Sequence, residues 1–420
     1  MFKYFILPVF LSGYLLSVNA WSESGNTQSR NRQLYANSIS RLSSLVNDVL
    51  NNNPGIKSVQ AEQDAVIAKA AAADQPLYNP KLVMDVENTE IQTSSLGIDQ
   101  TIDWSDKRNA RSRTARFKRE GFAAKLTIAR QDLAAELLQA LANYHTQRDM
   151  DALTKQRIEL LRGFLGLAKK RRQSGDLSQA ELTLAQLAFA EASMQRTRAA
   201  TRLMKTQQRL IALVGRNSHV WPNFPAVLPK LNLADKKLEA ILTRLPVLQE
   251  QQSLISAARA NIHLRQREQR PDPTIGLRGG RENSDSLIGL SFSVPLFVRN
   301  NFSAEVDVAN AELIQRERKT QNIARKARAK LLFSAHRYQL VRQTWQDWQQ
   351  TGQASLSEQV KLIQQIWQAG EISTTEYFMQ LNQTLDTRRS AIELRNDLWH
   401  SWVDWLLASG RVNAWLGLDN

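Results

Sequence analysis

The stretch Leu287–Asn301, LIGLSFSVPLFVRNN, limits the folds open to this chain more than any other. Ile288, Leu290, Phe292, Val294 and Leu296 alternate with Gly289, Ser291 and Ser293. Period-two alternation with small polar partners describes a strand with one apolar and one wet face. Past Pro295 and Arg299-Asn300-Asn301 the pattern becomes that of a very long helix, with Gly352 as its one weak breaker before the Gly370 region. The same switch occurs earlier, from Leu96 to Asn109.

The two copies belong to a larger repetition. Asn53-Pro54 aligns with Leu245-Pro246, Leu96-Gly97-Ile98 with Ile288-Gly289-Leu290, and Gly175-Asp176-Leu177-Ser178 with Gly370-Glu371-Ile372-Ser373. A shift of about 192 to 195 residues makes this a duplication of a whole unit and not a short solenoid repeat. The expected organisation is a signal peptide over 1–20 and a flexible mature N-terminus over 21–37. The first repeat follows over 38–214, a Pro-rich connector over 215–235, the second repeat over 236–410 and a tail over 411–420. The signal peptide rests on Lys3, the apolar run Tyr4 to Val18 and the small-residue site Val18-Asn19-Ala20, with maturation near Trp21.

Each repeat reads as helix, strand hairpin, long helix, tight tip and returning helix. Leu42, Leu45, Val46 and Val49, then Ile56, Val59 and Val66, give a helix broken at Asn51-Asn52-Asn53-Pro54. The hairpins fall within 80–104 and 273–296, the first with strands over 81–88 and 95–104. From Lys107 to Arg172 there is no proline, and Phe122, Leu126, Ala129, Leu133, Leu137, Ala140 and Tyr144 form a heptad seam for packing against other helices. The tips lie at 173–178 and 368–373. Gly175 and Gly370 suit the residue after a helix C-terminus, and Ser178 with Glu181, like Ser373 with Glu376, makes a capping box.

Lengths and composition extend the argument. Each long helix of about 66 to 70 residues spans roughly 100 Å, and a shorter helix from each side of the hairpins nearly equals it end to end. Strands of about 8 to 11 residues suit a tilted membrane crossing, but four strands cannot close a barrel and open edges are excluded from lipid. The chain is therefore expected to oligomerise. Its fold class is mostly α with membrane β: a long helical coiled-coil barrel, and four strands per chain contributing to a shared barrel. Leu82, Met84, Ile98, Ile102, Ile275, Leu277, Leu290, Phe292 and Val294 would face lipid, and Asp85, Glu87, Asp99, Asp103 and Arg278 the lumen. The net charge of +15 is spread along helices among Glu, Asp and Gln, which describes a solvated face and not a nucleic-acid surface.

Together the strand-to-helix units LGIDQTIDWSDKRNAR and IGLSFSVPLFVRNN and the tips SGDLSQAE and AGEISTTE resemble the TolC-like outer-membrane factor family over essentially the whole mature chain. The segment VPLFVRNN looks like the PLF-x-RN segment of its heavy-metal branch, the cobalt-zinc-cadmium resistance type. Where a Gly commonly follows that pair, this chain has Asn301-Phe302-Ser303. The resemblance implies a homotrimer with a 12-strand outer-membrane barrel and a helical barrel in the periplasm. It also implies a role as exit duct of a tripartite pump, working with a periplasmic adaptor and a proton-driven inner-membrane pump. Gly175, Asp176, Leu177, Gly370, Glu371 and Ile372 would then be where the adaptor docks.

Chemistry of other kinds finds no foothold. The histidines, His145, His219, His263, His336 and His400, are scattered, and there is no cysteine, so no metal-ligand spacing arises and no cofactor is expected. No phosphate loop, nucleophile elbow or zinc-protease motif is present, so the chain does not read as an enzyme. Two alternatives remain: a drug-efflux or type I secretion duct of the same fold, and a periplasmic coiled-coil scaffold or adaptor. An adaptor would have no need of apolar strand rows repeated in both halves.

Overall fold

Asn53 starts the first repeat's helical layer: its side chain accepts from the amides of Gly55 and Ile56, and Pro54 takes the first helical position, where a missing N–H costs nothing. Leu245 and Pro246 start the corresponding helix of the second half. The computed structural model describes residues 22–218, 220–231 and 235–418. The signal peptide expected over 1–20, Trp21 and His219 lie outside the described residues.

The helices are α1 (Ser22–Asn52), α2 (Pro54–Asp74), α3 (Lys107–Gln173), α4 (Gln179–Val214), α5 (Asp235–Leu242), α6 (Pro246–Glu268), α7 (Ser303–Asp347), α8 (Gln353–Gln368), α9 (Thr374–Ala408) and α10 (Val412–Leu416). Strands β1 (Lys81–Asn88) and β2 (Gln92–Thr101) separate α2 from α3, and β3 (Thr274–Glu282) and β4 (Asp285–Ser293) separate α6 from α7. The four make one antiparallel sheet in the order β1-β2-β3-β4, so the two halves join through β2 and β3 and leave β1 and β4 as edges.

Several boundaries differ from expectation, each for a local reason. Strand β2 starts earlier, because Thr93 and Ser94 are paired on both sides, with Glu87 and Val86 and with Glu282 and Arg281. It stops before Asp103, whose carboxylate accepts from the amides of Lys107 and Arg108 at 2.8 and 2.7 Å and so caps α3. Strand β4 stops before Pro295, which has no N–H to give to a ladder. Residues 22–37, expected to lack regular structure, continue α1; this helix is anchored by Leu42 and Val46 in the core and by Trp415 donating to the Tyr35 hydroxyl at 3.1 Å. Past Gly410 the chain makes α10, with Val412 and Leu416 one turn apart and both buried.

The long rods are not equivalent. α3 runs unbroken for 67 residues, whereas its counterpart is interrupted by a π-helical turn at Trp348–Gly352 between α7 and α8. The main core sits at mid-height, where Leu137, Leu138 and Leu141 of α3 meet Trp402 and Leu406 of α9, Tyr338 of α7 and the connector residues Trp221 and Phe224. Here α3 is enclosed on more than a heptad seam. Ala134, Leu138 and Leu141 are fully buried, while Leu126, Ala129 and Leu133 of the expected seam are only half-buried. A second core near the tips holds Phe164, Trp367 and Tyr377, whose rings pack at centroid distances of 4.7 to 5.4 Å.

Candidate functional site: sheet, junction and hairpin tips

Antiparallel register places directly opposed residues on one face of a sheet. Leu82 opposes Ile98, Ile98 opposes Leu277, and Leu277 opposes Leu290, so one apolar row crosses all four strands. Met84, Leu96 and Ile288 lie in the row on one side of it, and Ile275 with Phe292 in the row on the other. All of these side chains are exposed, Leu290 and Ile288 by 82%. An isolated water-soluble sheet would cover such rows; here no helix does. Leu96 and Ile288 were absent from the expected lipid-facing set, although the alternation that selects their neighbours selects them equally.

The opposite face carries Asp85, Glu87, Asp99 and Arg278 among Gly and Ser residues. Arg278 donates to Asp85 at 2.8 Å, and Lys81 stands opposite Asp99, so basic side chains offset much of the acidic row. Glycine makes the space for this layer. A Cβ at Gly276 would fall 2.1 Å from an Asp99 oxygen, and one at Gly97 would fall 2.6 Å from the Arg278 side chain. Of the residues expected on these faces, Ile102, Asp103 and Val294 lie beyond the strand ends; Asp103 belongs to the helix cap instead.

Where the sheet meets the rods, charged groups are paired, and one pair, Lys107 with Asp272, is buried. Lys107 at the start of α3 donates to Asp272 at 2.9 Å and to the Arg270 carbonyl at 2.6 Å. Tyr78 donates to the same Asp272 oxygen at 2.7 Å, and its hydroxyl is pushed up to about 12 by burial and by that carboxylate. Arg267 donates to the Asp106 carboxylate at 2.6 Å, and Arg111 to the carbonyls of Ala72, Ala73 and Gln75 at the end of α2. These contacts fix the strand direction relative to the helices. Sequence alone offered no pointer to them, because the partners are some 160 residues apart.

At the tips the backbone does what the glycines permit. Gly175 and Gly370 have φ of 84° and 80°, and Asp176 and Glu371 donate their amides back to Arg171 and Ile366, closing the helix ends. Both capping boxes form: Ser178 with Glu181 and Ser373 with Glu376. The hydrogen bonds from Ser178 and Ser373 hold the two glutamates below the usual carboxylate range. Gly175, Asp176, Gly370 and Glu371 are exposed, Ile372 is half-buried, and Leu177 turns inward to the lower core.

A model of the outer membrane efflux protein family matches residues 45–216, which span α2, the first hairpin, α3 and α4. The first half of the chain is thus similar to this family. Cobalt-zinc-cadmium resistance protein CzcC of Cupriavidus metallidurans is 26% identical over 257 residues, covering 57% of this chain, and the match spans 59% of that relative's length. Among solved structures, the outer-membrane channel OprN superimposes with a TM-score of 0.76 over 91% of this chain and 93% of its own, at 13% identity. CusC, described in its conformational changes on folding and channel formation, gives 0.73 over 88% and 92%, at 15% identity. These likenesses give the fold of the two channels to both halves, including the part beyond residue 216. Among the described residues no helix is long and apolar enough to cross a membrane, and no three His, Asp or Glu side chains gather as metal ligands.

Proposed function

We propose that this chain is the outer-membrane channel of a tripartite efflux pump, a passive duct extending into the periplasm. The observation that carries it is the sheet: apolar rows exposed on one face, a charged and glycine-lined layer on the other, and two unpaired edges. Unpaired strand edges are intolerable in lipid, so copies must pair β1 of one with β4 of the next. Three copies give twelve strands and a closed wall. The residues facing inward are then Asp85, Glu87, Asp99 and Arg278, and those facing lipid include Leu82, Met84, Ile98, Ile275, Leu277, Leu290 and Phe292.

The rods supply the periplasmic length, about 100 Å for α3. A passive duct depends on partners for energy: an adaptor at the exposed tip residues Gly175, Asp176, Gly370 and Glu371, and an inner-membrane pump. The cargo we infer is a heavy-metal cation, supported by the PLF-x-RN segment and the likeness to CzcC. A deletion strain should become sensitive to cobalt, zinc or cadmium salts and be restored by the gene. Sensitivity to drugs with unchanged metal tolerance would replace the cation by an organic cargo and leave the duct standing.

A further inference from the structure

Among the described tryptophans Trp104 alone is exposed; the others are buried or half-buried. Thr101, Thr274 and Ser293 lie side by side at the end of the sheet nearest the rods, and Trp104 follows just past Thr101. It continues the alternation of Ile98, Gln100 and Ile102 on the face proposed to meet lipid. Its ring is 64% exposed, while its Nε1 donates to the Pro271 carbonyl at 2.7 Å. The polar edge is therefore satisfied within the protein and the apolar body stands outside it. Tryptophan with faces divided in this way is enriched where hydrocarbon gives way to headgroups. Past the same end of β4, Leu296 and Val298 are 78% and 85% exposed, as bare as the lipid-facing Leu290.

Three arginines stand at this rim: Arg108 in the first turn of α3, Arg270 shortly before β3, and Arg299 between β4 and α7. All three are exposed, and none makes a side-chain hydrogen bond or ion pair with a described residue. The carboxylates that flank Arg108 and Arg270 in the chain serve other partners. Asp103 accepts from the amides of Lys107 and Arg108, and Asp106 from Arg267. Asp272 accepts from Lys107 and Tyr78, and Glu268 from Arg265. The first carboxylate past Arg299 is Glu305, in the first turn of α7, where the helix N-terminus favours its charge.

Unpaired cations beside an exposed apolar band select the occupant. We propose that this rim binds anionic phospholipid of the leaflet on the side of the helical rods. Arg108, Arg270 and Arg299 take headgroup phosphate oxygens, which suit the guanidinium fork. Trp104, Leu296 and Val298 seat among the glycerol backbones and upper acyl chains. The proposal rests on the outer-membrane duct proposed for this chain, which puts the apolar rows in hydrocarbon and this rim at their boundary. Because the band continues those rows without a break, the leaflet that surrounds the rows also surrounds the rim. Such anchors set the height and tilt of a membrane protein, so the rim would fix how far the rods reach below the bilayer.

The test uses the full-length protein reconstituted in phosphatidylcholine vesicles containing a minor fraction of lipid brominated on the upper acyl chain, either phosphatidylglycerol or phosphatidylcholine. Bromine quenches tryptophan fluorescence on contact, and the difference between wild type and Trp104→Phe isolates the signal of Trp104. Brominated phosphatidylglycerol is expected to quench Trp104 at a lower mole fraction than brominated phosphatidylcholine, and added salt should narrow the gap. Replacing any one of the three arginines by Gln should reduce the preference by up to about fivefold, the contribution of one basic residue near an anionic surface. The triple variant Arg108→Gln/Arg270→Gln/Arg299→Gln should lose the preference, and the corresponding triple Lys variant should keep it. Equal quenching by the two lipids would overturn the anionic-lipid site and leave the duct standing. Absence of quenching by either, in trimers that float with the vesicles, would also overturn it, by showing the rim covered by the neighbouring copy. Protein that does not enter the vesicles at all would remove the duct as well.

Discussion

Lys107 and Asp272, 165 positions apart in the sequence, meet at 2.9 Å with their side chains only 11% and 3% exposed, and Tyr78 donates to the same carboxylate oxygen. Lys107 begins the α3 rod and Asp272 leads into β3, so one ion pair ties the helical layer of the first half to the sheet of the second. Removing one member of a buried pair strands the other charge, at about 3–5 kcal/mol, whereas replacing both by apolar groups is often nearly neutral. Lys107→Met should therefore lower the thermal stability of the purified protein markedly, and the double variant Lys107→Met/Asp272→Leu should recover most of the loss. Equal destabilisation by single and double variants would show that the pair contributes through something other than charge matching.

The two faces of β4 should respond oppositely to the same substitution. Leu290 lies on the exposed apolar row and Ser291 on the glycine-lined face. Arginine on a lipid face costs about 2–4 kcal/mol near the bilayer midplane, while lumen positions tolerate charge. Leu290→Arg is expected to deplete the protein from the outer-membrane fraction, and Ser291→Arg to leave its amount unchanged while altering single-channel conductance. Quantitative immunoblots of membrane fractions and planar-bilayer recordings distinguish them.

Much of this arrangement was legible in the residues. Alternation across Ile288, Leu290 and Phe292 marked the strand and its apolar face, and Gly175 and Gly370 marked the tips, because those signals are local and periodic. The ends of β2 and β4 were less visible, since they depend on Asp103 capping a helix and on Pro295 denying a hydrogen bond. Phe302 shows the limit of local reading: it takes a left-handed conformation, φ 57°, at the entry to α7, as Asp106 does before α3. Its ring packs edge-on to Phe297 at 5.0 Å, a contact that offsets the backbone cost and that glycine could not make. The junction network depends on residues brought together only by the tertiary fold.

At the tips, Gly175→Ala and Gly370→Ala should each cost about 1 kcal/mol locally, the penalty of a left-handed backbone with a Cβ. Nothing lies within 4 Å of either added methyl, so packing does not contribute. Hydrogen exchange should quicken over 170–178 or 366–374 respectively, with the upper core unchanged. Unaltered exchange would mean that the tip conformation is fixed by contacts other than the glycine.

His145 and His400 predict a pH dependence. Burial holds both imidazoles below the usual histidine range. A group whose folded pKa is depressed binds more protons when unfolded, so its contribution is present above the unfolded value near 6.5 and is lost as pH falls below it. Stability of the mid-height core should decline from pH 7 to pH 5. The double variant His145→Gln/His400→Gln, whose amide at 145 can still donate to the Pro222 carbonyl, should flatten that segment of the stability profile. An unchanged slope would assign the acid sensitivity to carboxylates.

The most direct test of the duct is fractionation of cells producing the full chain, followed by crosslinking and electrophoresis with and without boiling. A heat-sensitive trimer in the outer membrane is the expected result. A monomer in the soluble periplasmic fraction would contradict the account and favour a scaffold or adaptor.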